Sequence, residues 1–274
     1  MRLSIVIPAY NEEARLGAML TEYTRYFIEA YGDDVELIVV VNGSRDHTED
    51  VAESFVRDHA QVRIIVEPSA IGKGGAIMMG AAVAQGDWIG FVDADGATPP
   101  AAFNELMQHR DEGDAIIASR WLPGSVVNPR QPLKRRIASR IFNRLVRLLF
   151  KVTITDTQCG AKLIRGDAMK HVLPKLGLTR WAFDVDLLFQ LRRAGYRISE
   201  RPTEWHDVAG SQLKVGRASL EMLLAITRLR MLHSPLHWVV TTYDYTLGRL
   251  IHRKPDPIPV VEIEPVHHTD ESSQ

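Results

Sequence analysis

The amino-acid sequence predicts an α/β domain with a mixed, mostly parallel sheet, helices on both faces of it, and amphipathic helices toward the C-terminus. Three observations predict this fold. Short Val- and Ile-rich runs alternate with segments whose apolar residues recur every three or four positions, as in βαβ units. Polar, glycine-containing turns follow successive runs. The 274 residues, 45% of them hydrophobic and 24% charged, are enough for one large core.

The first half of the chain contains the clearest elements. Strands are predicted over 3–8, 36–41, 62–66, 88–92 and 115–119, and helices over 12–31, 48–59 and 74–84. The second half begins with residues 130–151, which hold eight Lys and Arg and no acid. They predict a basic amphipathic helix over 133–151. Further amphipathic helices are predicted over 216–254, and residues 255–274, rich in Pro and acids, predict a flexible tail.

Properties of the whole chain restrict the classes of partner. A formal net charge of −1 gives no overall attraction to nucleic acid, so no nucleic-acid partner is expected. The single cysteine, Cys159, excludes an internal disulfide and indicates a reducing compartment. No run approaches the ~18 apolar residues of a membrane span, and residues 1–10 read as a strand rather than a signal peptide. A cytoplasmic location follows as an expectation.

Residues 88–100 carry the most chemical information. The apolar run over 88–92 is followed at once by Asp93 and Asp95, and then by a turn at Gly96. Ligands of open α/β sheets bind at the carboxyl ends of the strands, so both carboxylates would point into one crevice. Their oxygens suit Mg²⁺ or Mn²⁺, which usually take further ligands from substrate phosphates. An acidic surface turn is the alternative for a lone Asp-x-Asp.

Three other turns follow predicted strands in the same way. Tyr10 offers a flat ring to a nucleobase and Glu12 a carboxylate, at the end of the first strand. Gly43 allows a tight turn before a polar cluster at a helix N-terminus, where anions are favoured. Lys73 lies among glycines that would let a phosphate approach the backbone, although the spacing excludes a Walker A loop. Each turn alone is weak evidence, but their order at successive strand ends is specific.

The chain resembles the inverting glycosyltransferases of family 2, which have the Rossmann-like GT-A fold. The likeness covers about residues 1–215. It is most distinctive in the segments 118–120, 156–163 (DTQCGAKL), 180–186 (RWAFDVD) and 205–211 (WHDVAGS), which look like the dolichyl/polyprenyl-phosphate β-glucosyltransferase branch. The resemblance implies a catalytic domain over 1–215, with a nucleotide-sugar half over 1–120 and an acceptor half over 121–215.

The resemblance also implies a donor site and a metal site. The residues expected to bind the nucleotide-sugar are Pro8, Ala9, Tyr10, Glu12, Asn42, Lys73 and Asp93. Asp95 would ligate Mg²⁺ or Mn²⁺ directly, and Asp93 would face the ribose or the metal. His206 would either complete the metal shell or be a hydrogen-bonded structural histidine. Where the family commonly has an acidic pair, this chain has Val41-Asn42, which leaves UDP-glucose and GDP-mannose both open as donors.

On the acceptor side, the residues expected to receive a lipid phosphate are Arg120, Arg135, Ser139 and Arg140. Arg120 would position the nucleophile through charge-assisted hydrogen bonds. A phosphate monoester is already anionic at neutral pH, so it needs a general base less than a sugar hydroxyl does. If a base is required, Asp184 is the first candidate and Asp156 the second. A helix cap or an ion pair with a neighbouring arginine is the alternative for both.

The expected function is metal-dependent, inverting transfer of a hexose, glucose before mannose, to a polyprenyl or dolichyl phosphate. The basic helix favours a lipid acceptor, because it offers a surface anchor on the inner face of the membrane without a spanning segment. Packing of that helix on the core is the alternative. Two other functions stay open: transfer to a soluble acceptor, and non-catalytic binding of a sugar nucleotide or a lipid.

Overall fold

Nine strands and eight helices form the part of the chain that the computed structural model describes, residues 1–129, 133–177, 182–206, 215–234 and 238. The strands are β1 (Leu3–Ala9), β2 (Val35–Asn42), β3 (Val62–Glu67), β4 (Trp88–Phe91), β5 (Ala115–Ser119), β6 (Val126–Asn128), β7 (Lys162–Arg165), β8 (Ile198–Pro202) and β9 (Glu204–His206). The helices are α1 (Glu13–Tyr31), α2 (Thr48–Asp58), α3 (Gly72–Val83), α4 (Pro100–Gln108), α5 (Leu133–Phe150), α6 (Gly166–Val172), α7 (Phe183–Arg193) and α8 (Val215–Leu232).

Seven of these strands form one mixed sheet in the order β3-β2-β1-β4-β7-β5-β8. Strand β7 is antiparallel to its neighbours β4 and β5, and the remaining pairs are parallel. The predicted fold class is therefore confirmed, and the bounds of the five predicted strands and three predicted helices agree with the structure within two residues. Strands β6 and β9 form a separate parallel pair.

The alternation of side chains along the strands explains the two layers of helices. On one face of the sheet, residues such as Ile5 and Ile7 of β1 pack against α1, α2 and α4. On the other face, Val6 of β1 packs against α3, α6 and α7. Every residue of β2 is buried, as expected of a parallel strand covered on both sides. Because helices cover both faces of the sheet, the turns that follow the strands lie at the ends of the strands.

The basic helix α5 has two apolar faces, where the prediction of an amphipathic helix implied one. Phe142, Val146 and Phe150 are buried in a third cluster together with residues of α7 and α8. The second face is exposed and carries the large apolar residues Leu133, Ile137, Ile141 and Leu148. Packing on the core and a free apolar surface are thus both present, on opposite sides of one helix.

Two predictions about the organisation of the chain stay predictions. Two strands of the later half cross the predicted division at residue 120: β7 completes the sheet between β4 and β5, and β8 pairs with β5. Helix α8 begins one residue before the predicted helical region 216–254 and covers its first part. The predicted tail over 255–274 lies outside the described residues. No helix among those described has the length and apolar character that crossing a bilayer requires.

Candidate active site

One edge of the sheet collects the predicted donor residues. Strands β1, β2, β4 and β5 run parallel to one another, so their carboxyl ends meet at this edge. Asp93 follows β4 and Arg120 follows β5. Strand β7 runs the opposite way and begins at the same edge with Lys162, which pairs with Phe91 of β4 and with Ile117 of β5. A crevice lined by charged side chains is the result.

The two carboxylates after β4 differ in their partners. Asp93 forms an ion pair with Lys73, whose Nζ lies 2.5 Å from Asp93 Oδ1. Burial acts to raise the pKa of Asp93, but the Lys73 ammonium outweighs it and the pKa lies below its usual value. Asp95 Oδ1 accepts the backbone N–H of Ala97 at 3.0 Å. Burial and the neighbouring charge of Asp93 raise the pKa of Asp95. Asp95 is therefore the member of the pair whose charge is not neutralised.

The glycines around Lys73 were predicted to let a phosphate approach the backbone. In the structure, two of them allow close packing of α3 against its neighbours. A Cβ on Gly74 would collide with the ring of Phe183, and one on Gly75 would press on Ile71. Gly74 thus lets α3 lie directly against the first residue of α7. This contact brings Lys73 close to Asp184, the second residue of α7, and the charges of Asp93 and Asp184 raise the pKa of Lys73 against the opposing effect of its burial.

A second ion pair lies deeper in the crevice. Lys162 is fully buried, and its Nζ lies 2.5 Å from Asp184 Oδ1. The same ammonium donates a hydrogen bond of 2.7 Å to the carbonyl oxygen of Cys159. Asp184, the first candidate for a general base, therefore has a fixed cationic partner at the start of α7. Burial raises the pKa of the Cys159 thiol to about 11, which fits a small packing residue rather than a reactive thiol.

A third ion pair joins Arg120 to Asp156. The guanidinium binds the carboxylate with two hydrogen bonds, Nε to Oδ2 at 2.7 Å and Nη2 to Oδ1 at 2.9 Å, and the backbone N–H of Arg120 adds another at 3.0 Å. Burial opposes the charge of Asp156, but Arg120 lowers the pKa of this carboxyl below its usual value. For Asp156, the structure thus contains the ion pair with an arginine that was the alternative to a role as general base. Arg120 also stacks on the ring of Trp205, 5.4 Å from its centroid.

The part of the crevice predicted to hold the nucleoside contains the remaining predicted donor residues. Tyr10 exposes half of its surface at the end of β1, next to buried Ala9 and half-buried Pro8. The carboxylate of Glu12 accepts two hydrogen bonds from Arg15, at 2.7 and 2.6 Å. Burial raises the pKa of Glu12, and Asp95 and Asp93 add to this effect. Glu12 thus lies within electrostatic reach of the predicted metal site.

Asn42 stands where the family commonly has an acidic residue. Its amide nitrogen donates a hydrogen bond of 3.1 Å to the carbonyl oxygen of Ala9, across the β1–β2 pair. Its Oδ1 is buried and has no hydrogen-bond partner among the described residues. A carboxylate here would set an acceptor against the Ala9 carbonyl, so the amide suits this position. The free Oδ1 keeps one hydrogen-bond acceptor at the predicted nucleoside end, as a carboxylate would.

The predicted acceptor side is connected to α5 by a chain of hydrogen bonds. Asn143 of α5 accepts the backbone N–H and the hydroxyl of Thr157, at 2.9 and 2.7 Å, and donates to the carbonyl oxygen of Ser139 at 3.0 Å. Thr157 follows Asp156, the partner of Arg120. The guanidinium of Arg140 lies over the ring of Trp121, 5.2 Å from the centroid. The side chain of Arg135 lies outside the described residues.

The backbone of His206 is hydrogen-bonded to the loop that carries Asp93 and Asp95. Its N–H donates to the carbonyl oxygen of Ala97 at 2.7 Å, two residues after Asp95. Its ring Nε2 lies 3.0 Å from a carboxylate oxygen of Glu204. Within the described chain, no three His, Cys, Asp or Glu side chains come together as a metal-binding group. The arrangement therefore fits the hydrogen-bonded alternative for His206, and its role as a metal ligand stays a prediction.

The donor set nevertheless suits a hard divalent cation. Two carboxylates lie at the strand end, and the Lys73 ammonium already stands against one of them as a balancing positive charge. A cation that keeps waters and binds phosphate oxygens needs only one or two protein carboxylates. Asp93 and Asp95 meet that requirement by their chemistry.

Sequence reasoning missed several residues of this site. Lys162 stands in the motif 156–163, and a lysine that begins an apolar strand segment is a signal of a buried ion pair. Arg15 lies three residues after Glu12, a spacing that would have predicted their ion pair. Trp121, and Trp205 within the motif 205–211, could not be paired with an arginine from the sequence, because each stacks with a residue of another element. The motif residues 180–181 and 207–211 lie outside the described residues.

Comparison with protein families decides the class to which this site belongs. The model of Glycosyl transferase family 2 matches residues 4–173. The chain belongs to this family. The resemblance noted in the sequence is thereby confirmed, and the protein is a glycosyltransferase.

Curated relatives of this glycosyltransferase are identical to it at about a third of the aligned positions. The dolichyl-phosphate beta-glucosyltransferase of Dictyostelium discoideum is 31% identical over 83% of this chain and 73% of its own. The enzyme of the same name from Saccharomyces cerevisiae is 33% identical over 84% of this chain and 74% of its own.

A solved structure shows the same fold at lower identity. Glucosyl-3-phosphoglycerate synthase from Mycobacterium tuberculosis, in complex with Mn²⁺, UDP and phosphoglyceric acid, matches with a TM-score of 0.61 and 18% identity. The match covers 82% of this chain and 77% of that one. The GT-A-like architecture of the chain is therefore confirmed.

Proposed function

We propose that this glycosyltransferase transfers glucose from a nucleotide-sugar to a dolichyl or polyprenyl phosphate, with inversion at the anomeric carbon. The names of the curated relatives support the sugar and the acceptor. One observation of the structure carries the proposal. Helix α5 is hydrogen-bonded through Asn143 to the loop that holds the Arg120–Asp156 pair, and the same helix exposes a stripe of large apolar side chains. One element thus links a fixed guanidinium to a surface suited to lipid.

In the proposed reaction, the bond between the anomeric carbon and the diphosphate breaks, and an oxygen of the acceptor phosphate bonds to that carbon from the opposite face. A divalent cation at Asp93 and Asp95 would supply Lewis-acid stabilisation of the leaving diphosphate. Arg120 positions the acceptor phosphate, because Asp156 holds its guanidinium in a single orientation. Asp156 and Asp184 each have a cationic partner, which supports attack by the anionic phosphate without a general base.

The donor side of the proposal rests on the nucleoside end of the crevice. Tyr10 presents its exposed ring for stacking on the base, beside Pro8 and Ala9. Glu12 holds Arg15 close to the carboxylates, so the positive charge of Arg15 lies near the predicted metal site. Asn42 offers one acceptor, which both uracil and guanine can use through a ring N–H. We therefore propose UDP-glucose as the donor from the names of the relatives, and not from Asn42.

Transfer assays test this function. We expect radiolabelled UDP-glucose with Mn²⁺ or Mg²⁺ to label a short polyprenyl phosphate in detergent, and a chelator to abolish the label in the organic phase. GDP-mannose and UDP-N-acetylglucosamine serve as competing donors. Label from GDP-mannose alone would contradict the assigned sugar. Metal-dependent release of nucleoside diphosphate without lipid product would favour a soluble acceptor, and no turnover at all would favour a binding protein.

The outer face of α5 is the proposed contact with the membrane. Leu133, Ile137, Ile141 and Leu148 recur at spacings of four and seven residues and are each at least 49% exposed. Arg140, Arg144 and Arg147 are exposed on the same side of the helix. Apolar side chains among arginines match the boundary between acyl chains and anionic headgroups. This contact implies a peripheral position on the cytoplasmic face of the membrane.

We expect the double variant I137E/I141E to bind anionic vesicles roughly tenfold more weakly than the wild type, because it places two charges in the apolar stripe. Co-sedimentation with phosphatidylserine-containing vesicles measures the effect. The control is Val66→Glu. Val66 is an exposed apolar residue of β3, the outermost strand of the sheet, so this variant should bind vesicles as the wild type does. Equal binding by I137E/I141E and the wild type would contradict the membrane contact.

A further inference from the structure

The contact between Lys73 and Asp93 lies where a ligand can reach it. The side chains of Lys73 and Asp93 are 32% and 38% exposed, whereas the Lys162–Asp184 pair beside them is 0% and 9% exposed. Lys73 is the second residue of α3, whose N-terminus opens on the crevice. A lysine ammonium on a flexible four-carbon stem can change partners without moving the backbone. A ligand that enters the crevice can therefore separate Lys73 from Asp93, whereas the buried Lys162–Asp184 pair is closed to it.

The charges around Lys73 explain why it binds Asp93. Two carboxylates, Asp93 and Asp95, lie two residues apart, and the field of each disfavours the charge of the other. Lys73 faces both of them and Asp184 as well. With a divalent cation at the two aspartates, the positive charge of Lys73 would be repelled from this position. The diphosphate of a donor would then be the nearest uncompensated negative charge.

We propose that Lys73 is a positioning residue that exchanges partners: its ammonium neutralises Asp93 in the ligand-free protein and moves to the donor's diphosphate when a divalent cation takes Asp93. This inference rests on the proposed donor site, but not on the identity of the sugar or the acceptor. It has a thermodynamic consequence. A cation that binds alone must displace Lys73 while no anion receives the ammonium, so cation and nucleoside diphosphate bind with positive coupling, and the coupling is reciprocal.

The variant Lys73→Met separates the two roles of this side chain by the sign of its effects. Without Lys73 as competitor, Mn²⁺ alone should bind roughly tenfold more tightly, and UDP or GDP in saturating Mn²⁺ should bind roughly tenfold more weakly. Electron paramagnetic resonance of free Mn²⁺ measures the first affinity and calorimetry the second. Lys73→Gln repeats the test with a polar side chain, and Lys73→Arg should keep both affinities near those of the wild type.

Lys175→Met is the matched control for loss of one positive charge, because Lys175 is exposed and contacts His171. It should change neither affinity. Weaker or unchanged binding of Mn²⁺ alone by both Lys73→Met and Lys73→Gln would overturn the exchange. If the wild type binds neither diphosphate even with Mn²⁺, the proposed donor site fails. The comparison of Mn²⁺ alone would still decide whether Lys73 competes for Asp93.

Discussion

Replacing Asp95 with alanine is expected to lower the rate of transfer on the order of a thousandfold and to leave the fold intact. Asp95 is the crevice carboxylate whose charge is not neutralised by a side chain, since Lys73 is bound to Asp93. Burial and the charge of Asp93 raise its pKa, so its ionised form is unfavourable in the folded protein. Removing it therefore relieves repulsion, at the loss of one hydrogen bond to Ala97. Such a residue is retained for function rather than stability.

Three measurements check this expectation. Initial rates with labelled donor give the loss of transfer, and calorimetry with UDP should show that Mn²⁺ no longer strengthens nucleotide binding. The thermal midpoint should stay within about 4 °C of the wild type or rise. Asp50→Ala removes an exposed carboxylate of α2 that contacts only His47 among its described neighbours, and should change none of the three. Wild-type transfer by Asp95→Ala would remove Asp95 from the metal site.

The carboxylates of this crevice could be predicted from sequence because local patterns determine their position. A buried run that ends in Asp93 and Asp95 can only place them beyond the end of a strand, and successive βα turns share one edge of a parallel sheet. The partners could not be predicted in the same way. Lys162 reaches Asp184 because β7 enters the sheet antiparallel between β4 and β5, and no periodicity in the chain encodes that pairing.

Helix α5 shows a similar division between what a pattern determines and what packing adds. Its amphipathic character and its basic residues were evident from sequence, and its bounds were nearly correct. Which apolar residues face the core depends on where α7 and α8 lie, and this decides that Phe142 is buried whereas Ile141 is exposed. Asn42 is a further case. The sequence marked it as a departure, but the hydrogen bond to Ala9 follows from the register of β1 and β2.

Lys162→Met is expected to lower the free energy of unfolding by about 3–5 kcal/mol, because it leaves the carboxylate of Asp184 buried without its partner. The ammonium of Lys162 is fully buried and also satisfies the carbonyl oxygen of Cys159, so no water can easily replace it. Urea unfolding measures the loss. Asp167→Asn provides the control, since its carboxylate contacts Arg165 at the same 2.5 Å, but the two side chains are 43% and 65% exposed. An exposed pair of this kind contributes about 1 kcal/mol or less.

The double variant Lys162→Met with Asp184→Asn distinguishes a buried charge from lost packing. If the cost of Lys162→Met is the unpaired carboxylate, neutralising Asp184 should recover more than half of the lost stability. If the cost is the volume and shape of the lysine stem, the double variant should be no more stable than the single one. Recovery of stability without recovery of transfer would then assign the pair a second task. The Lys162–Asp184 pair would then also hold the N-terminus of α7 against α3, where Gly74 meets Phe183 and Lys73 faces the proposed donor site.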